Sequence, residues 1–194
     1  MAYEEPAYEV VGEYDAYEIR RYFPYLIAEI TVDQPFEAAR NEAFRRLFRY
    51  ISGDNRTAES MEAGAVSATT RRGGTKIKMT IPVVSTTPTA QPGPDDAPGF
   101  TTYFVVPSKY TLETVPQPND TRILIRQVPE RLVAVRRYSG RITESNYREN
   151  ERVLLEALRD DRVTIAGDPV FAVYDSPFTL WFLRRNEVMI DIAR

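Results

Sequence analysis

Arg21-Tyr22-Phe23-Pro24-Tyr25-Leu26-Ile27-Ala28 returns in the second half of the chain as Arg126-Gln127-Val128-Pro129-Glu130-Arg131-Leu132-Val133-Ala134, one residue longer. In both copies an apolar, β-branched run meets a proline, which has no N–H for a central ladder and therefore marks a turn. The first copy reads as strands over 8–11 and 17–32, turned at Pro24. The second reads as strands over 121–128 and 132–138, turned at Pro129.

A helix is predicted after each pair. Over 35–52 the apolar residues Phe36, Ala39, Ala43, Phe44, Leu47, Phe48 and Ile51 trace one stripe at the 3.6-residue period. Asp33 or Gln34 can cap its start, Pro35 suits its first turn, and Gly53 can end it. Arg40, Arg45, Arg46 and Arg49 fall on the other face and read first as solvated surface. The second helix is expected over 144–159 with Thr143 as its cap. Further strands are expected at 76–84 and 100–106 in the first half, and at 170–174 and 187–192 in the second. Residues 54–74 read as a polar loop with a short strand near 65–70. Residues 85–99, with four prolines and two glycines, read as a mobile loop.

Each half is thus a ββαββ unit, with pseudo-repeats at about 8–107 and 120–193. One such unit leaves an apolar sheet face bare, whereas two can close a single curved sheet. The expectation is an α+β fold in one domain over 1–194: duplicated ββαββ units forming a distorted antiparallel β-barrel, with two main helices packed on it.

Composition narrows the chemistry. The 194 residues are 43% hydrophobic and 27% charged, enough to bury a core. Histidine and cysteine are both absent. Their absence excludes a Ser-His-Asp triad, imidazole or thiolate metal ligation, a thiol nucleophile and disulfides. No nucleophile–base pair is visible, and Gly73-Gly74-Thr75-Lys76 lacks the phosphate-loop pattern, so no enzymatic activity is expected. Lys+Arg 25 against Asp+Glu 28 gives net −3, which supplies no global field toward nucleic acid or anionic lipid. The cations are nearly all arginine, which suggests a bacterial genome bias. Met1-Ala2-Tyr3-Glu4-Glu5-Pro6 is not a signal peptide, and no run approaches the ~20 apolar residues of a membrane span. A cytoplasmic monomer that binds no nucleic acid is expected.

Five segments, in order, resemble one family. They are Tyr17-Glu18-Ile19-Arg20-Arg21-Tyr22, Tyr50-Ile51-Ser52-Gly53-Asp54-Asn55 and Lys76-Ile77-Lys78-Met79-Thr80-Ile81-Pro82-Val83. Tyr138-Ser139-Gly140 follows, then Tyr174-Asp175-Ser176-Pro177 with Arg184-Arg185-Asn186-Glu187-Val188. Together they are similar to the SOUL or haem-binding-protein family, over nearly the whole chain. The resemblance implies the same ββαββ duplication and a non-enzymatic protein that binds haem or another tetrapyrrole for buffering or transport. It implies a hydrophobic groove beside the first helix and a late loop. The duplicated fold also resembles GyrI-like small-molecule effector modules, which would use the cleft between the repeats, near Asn150 or Glu151.

A porphyrin needs apolar walls and cations for its propionates. Carried over from the resemblance, the candidate binding residues are Arg40, Phe44, Phe48, Arg49, Phe178 and Trp181. Phe44 and Phe48 stand at methionine-like positions, Arg49 stands where a member has lysine, and Arg40 adjoins Asn41 at an arginine position. Leu180 and Phe182 join Phe178 and Trp181 in a roof. Haem would bind without His or Cys, leaving Tyr, Met (Met61 or Met79), Lys or no protein ligand. Without the resemblance, the helix stripe reads first as core, and Met79 likewise. Arg184-Arg185-Asn186-Glu187 reads as structural, Glu187 pairing with an arginine and Asn186 satisfying a turn.

Overall fold

The computed structural model describes residues 3–57, 74–86, 99–176 and 178–193. The expected short strand near 65–70, Met61 and most of the 85–99 loop lie outside the described residues.

Both proline turns join strand pairs. β1 (Tyr8–Glu13) and β2 (Glu18–Tyr22) precede Pro24, and β3 (Tyr25–Val32) follows it. β8 (Leu124–Val128) and β9 (Arg131–Tyr138) flank Pro129. α1 spans Phe36–Ile51 and α2 spans Glu144–Asp160, each after its strand pair. The remaining strands are β4 (Asn55–Arg56), β5 (Val83–Thr86), β6 (Phe100–Val105), β7 (Gln117–Pro118), β10 (Val170–Val173) and β11 (Asn186–Ile192). Nine strands form one sheet in the order β1-β2-β9-β11-β10-β5-β6-β3-β8, and every ladder is antiparallel. With β1 set aside, that order is symmetric about the β10–β5 pair: β2 answers β8, β9 answers β3, and β11 answers β6. The sheet curls into a half-barrel with both helices on it.

The period of two divides the strands between the faces. Leu26, Ala28 and Ile30 of β3 and Phe104 of β6 pack with Ala43, Leu47, Tyr50 and Ile51 of α1. Val188, Ile190 and Ile192 of β11 pack with Tyr147, Leu154 and Leu158 of α2. The alternate residues Ile27, Val133, Val135 and Met189 join Tyr22, Tyr103 and Tyr174 on the other face.

Local signals hold at the start of α2 and at the end of α1. Thr143 Oγ1 accepts from Asn146 N–H at 3.3 Å, capping α2. The C-terminus of α2 closes at Asp161, and Gly53, at φ +115°, turns the chain out of α1. The start of α1 differs. Pro35 itself occupies the cap position, its carbonyl accepting from Ala39 N–H, and neither Asp33 nor Gln34 makes a side-chain cap bond.

The strand expected over 76–84 is also corrected. The ladder begins only at Val83, just past Pro82, which has no N–H to donate. The backbone before it is used elsewhere. Ile77 N–H donates to the Ile51 carbonyl at the end of α1, and Ile81 N–H donates to the Glu4 carbonyl. Alternation in this segment reflects Ile77 and Met79 packing beneath α1 rather than a sheet position.

Candidate functional site

A groove of about 760 Å³ opens between α1, the stretch from Met79 to Ser85, the end of β10 and residues 178–184. Its size is that of a small-molecule site. Phe44 and Phe48 form the α1 wall, their rings stacked at 5.9 Å between centroids. One helical turn apart, they project from the edge of the buried stripe. Phe44 meets the core through an edge contact to Phe104 at 5.5 Å, whereas Phe48 stays about half exposed. The helix stripe therefore divides. Phe36, Ala39, Ala43, Leu47 and Ile51 are core, and Phe44 and Phe48 line the groove.

The facing wall is a 3₁₀ turn, Trp181–Leu183, preceded by Phe178 and Leu180. Backbone bonds hold it in place. Gly140 N–H donates to the Trp181 carbonyl at 3.0 Å, and Thr179 N–H donates to Ser176 at 2.9 Å. Gly140 sits at φ +123°, where a Cβ would lie 2.6 Å from Asn146 Nδ2. Glycine is thus required for the turn that brings β9 to the 3₁₀ segment and sets Arg141 on the groove. Met79, Ile81 and Val173 make the floor.

Three arginines line this groove: Arg40, Arg141 and Arg184. Arg40 enters no ion pair among the described residues; its guanidinium reaches the Ile142 carbonyl at 3.5 Å. Burial pulls that guanidinium below its ordinary pKa, Glu37 offsets part of the shift, and Arg184 adds to it. Arg184 Nε donates to the Thr179 carbonyl at 2.8 Å. Arg141 is exposed and enters no ion pair among the described residues. Among the described residues the one carboxylate on the lining, Asp175, already accepts the Arg185 backbone N–H. An anion entering here meets the guanidinium groups of Arg40, Arg141 and Arg184.

Of the residues singled out from sequence, Arg40, Phe44, Phe48, Phe178 and Trp181 come together on the groove. Arg49 does not. One position further round the helix, it donates to Asp54 Oδ2 at 2.8 Å. Arg45 and Arg46 pair with Glu42 as a solvated face does. Arg141 and Arg184 were missed as groove cations. Arg141 follows the Tyr138-Ser139-Gly140 motif directly, which was the available signal.

The expected cleft near α2 takes a different form. Asn150 Nδ2 donates to the Asn146 carbonyl at 2.8 Å while its Oδ1 accepts from Arg136 Nε at 3.2 Å. Glu151 pairs with Arg148 at 2.9 Å, and neither residue lines the groove. A second, shallower hollow of about 540 Å³ lies beside β1, β2 and β9, where Glu13, Asp15 and Glu18 mix with Arg136 and Arg137.

Behind the groove, Tyr174 leads into a buried ionic cluster. Its hydroxyl donates to Glu187 Oε2 at 2.6 Å. Arg20 grips the same carboxylate with two bonds, at 2.9 and 3.0 Å, and Arg185 Nε donates to Oε1 at 2.9 Å. Asn186 Nδ2 bonds the Gly140 carbonyl at 3.2 Å, satisfying the turn as expected.

The groove suits haem in walls and charge. Phe44, Phe48 and Trp181 offer apolar surface, and Arg40, Arg141 and Arg184 match two propionates. Its sulfur and phenol donors among the described residues are Met79, Tyr3 and Tyr174. Burial pushes the Tyr174 pKa far up and its proton is committed to Glu187, so Tyr174 does not offer a phenolate.

A family model described as SOUL heme-binding protein matches residues 3–191. The chain is 26% identical to heme-binding protein 2 of Mus musculus, over 98% of this chain and 91% of that protein. It is 27% identical to the Homo sapiens protein of the same name, over 89% of this chain and 80% of that one. Among solved structures, the EcmrR–DNA complex superposes with a TM-score of 0.60 at 9% identity. That match covers 91% of this chain and about half, 56%, of EcmrR, and shows a shared fold. No helix among the described residues is long and apolar enough to cross a membrane.

Proposed function

The chain belongs to the SOUL heme-binding protein family, and from that membership we propose that it binds haem or a related dicarboxylate tetrapyrrole in the groove between α1 and residues 178–184. The observation that carries the reading is the pairing of apolar walls with Arg40, Arg141 and Arg184 on one cavity. Phe44, Phe48 and Trp181 take the faces of the macrocycle and exclude water from them. The arginines bind the propionates and set its orientation at the mouth. When bound, haem supplies iron redox and ligand exchange. The protein itself adds neither imidazole nor thiolate, and the role proposed for it is that of a carrier or buffer. A cationic ligand in this groove is disfavoured by the same three arginines.

Trp181 is the chain's single tryptophan and lies on the groove, so it reports occupancy. Titrating hemin into the protein is expected to give a one-to-one endpoint in the Soret band, with Trp181 emission quenched in parallel. A non-saturating slope, or saturation without quenching, would remove the tetrapyrrole from this groove.

A further inference from the structure

Phe182 and Leu183 serve neither the core nor the groove. They are 52% and 66% exposed and line neither of the two cavities described above, yet they follow Trp181 directly in the 3₁₀ turn. Phe178 is 95% exposed and Leu180 also projects, so five of the six residues from Phe178 to Leu183 present large apolar side chains to solvent. Exposed apolar surface this continuous marks a contact with something. The segment is not loose chain, because Gly140 N–H, Leu183 N–H and Arg184 Nε bond its carbonyls.

Two features decide what it contacts. The first is shape. Trp181 lines the groove with Phe182 edge-on against it at 5.5 Å, and Leu183 extends the turn into solvent, so at three residues per turn the apolar side chains do not share one flat face. A flat protein face cannot cover all three at once, whereas a fluid apolar medium can surround them. The second is charge. Arg40, Arg141 and Arg184 rim the same loop, and between Ser176 and Arg184 the described residues include no carboxylate. Two copies meeting through this loop would bring arginine rims together. Asp175 and Glu37 are the nearby acids; Asp175 is held by Arg185 N–H. The net charge of −3 opposes little here, since charges more than ~10 Å away are screened at ordinary salt.

We propose that the Phe178–Leu183 loop is a docking tip for anionic phospholipid surfaces, inserting Phe182 and Leu183 among the acyl chains with Trp181 at the interface, while the arginines meet the headgroups. The groove mouth then lies against the bilayer, where an apolar ligand can pass without crossing bulk water. Docking does not depend on which molecule the groove takes.

Vesicles of an equal mixture of phosphatidylcholine and phosphatidylserine test this on the ligand-free protein. Trp181 emission is expected to shift to shorter wavelength, with the protein floating alongside the vesicles. Raised salt, or phosphatidylcholine alone, should weaken both effects. A double variant, Phe182→Ser with Leu183→Ser, is expected to lose flotation while it still titrates to a one-to-one hemin endpoint, which separates this claim from the groove's ligand. The proposal is overturned by absence of flotation and shift in the wild type, or by a double variant that floats equally well. It is overturned equally by a vesicle-free dimer in ultracentrifugation that the double variant abolishes, which would assign the tip to a second copy.

Discussion

Replacing Glu187 by alanine is expected to lower the unfolding free energy by about 3–5 kcal/mol, a large share of the ~5–15 kcal/mol that holds a domain of this size folded. Glu187 is fully buried on β11 and Arg20 nearly so on β2, joined by two hydrogen bonds. Removing the carboxylate strips both terminal nitrogens of the buried Arg20 guanidinium of their acid, leaving only the partly exposed Glu18 on Nε and the Tyr22 hydroxyl on Nη1. Arg185 is affected less because it also grips Glu5, with both bonds at 3.1 Å. Urea denaturation measures the loss, and a change below about 1 kcal/mol would mean that the cluster relaxes into water on mutation. The pH dependence has a definite sign. Burial alone would raise the Glu187 pKa, yet hydrogen bonds and charge from Arg20, with help from Tyr174 and Arg185, hold it below the usual carboxylate range. The folded protein therefore resists protonation more than the unfolded chain does. This stabilisation is complete above the ordinary carboxylate range and disappears as pH falls through the folded value. Glu187→Gln should flatten the acid limb of the stability profile.

Reversing two groove cations together, Arg40→Glu with Arg141→Glu, is expected to weaken hemin binding by about 100-fold or more, or ~2.7 kcal/mol. The pair changes the mouth from attracting a dicarboxylate to repelling it, and like charges placed face to face cost several kcal/mol. Neither arginine is in an ion pair among the described residues, so reversal breaks no salt bridge of the fold. Hemin titration at two salt concentrations reads the effect. The wild type should lose affinity as salt rises, and the variant should reverse that dependence. A loss of about threefold or less would show that the propionates lie elsewhere.

Much of the architecture was legible because period and punctuation agree. The Pro24 and Pro129 turns, the α1 stripe and the Thr143 cap each have a local cause that survives folding. The stretch from Lys76 to Ile81 was misread because its apolar residues alternate as a strand's would, while its N–H groups bond α1 and the N-terminal arm. Alternation reports which side is buried, not which partner the backbone takes. The Glu187 cluster was legible as an acid among arginines, but not its depth, which depends on β2 and β11 both lying beside β9. At the groove, Phe44 and Phe48 could not be told from core on periodicity alone, since the stripe is wider than the face that α1 buries. Arg49 was misplaced for the converse reason: one step along the helix takes it out of the groove and to Asp54. Arg141 escaped notice because its position depends on the left-handed turn at Gly140.

That single step along α1 gives the sharpest test of the groove. Phe48→Asp puts a carboxylate on the apolar wall, where a bound porphyrin would strip it of water, and Arg49→Glu reverses a charge that faces Asp54 instead. Titrated with hemin beside the wild type, Phe48→Asp should lose affinity by about 100-fold or more, while Arg49→Glu stays within about twofold. Equal affinity in all three proteins, or an Arg49→Glu loss matching that of Phe48→Asp, would contradict the assignment of the ligand to this groove.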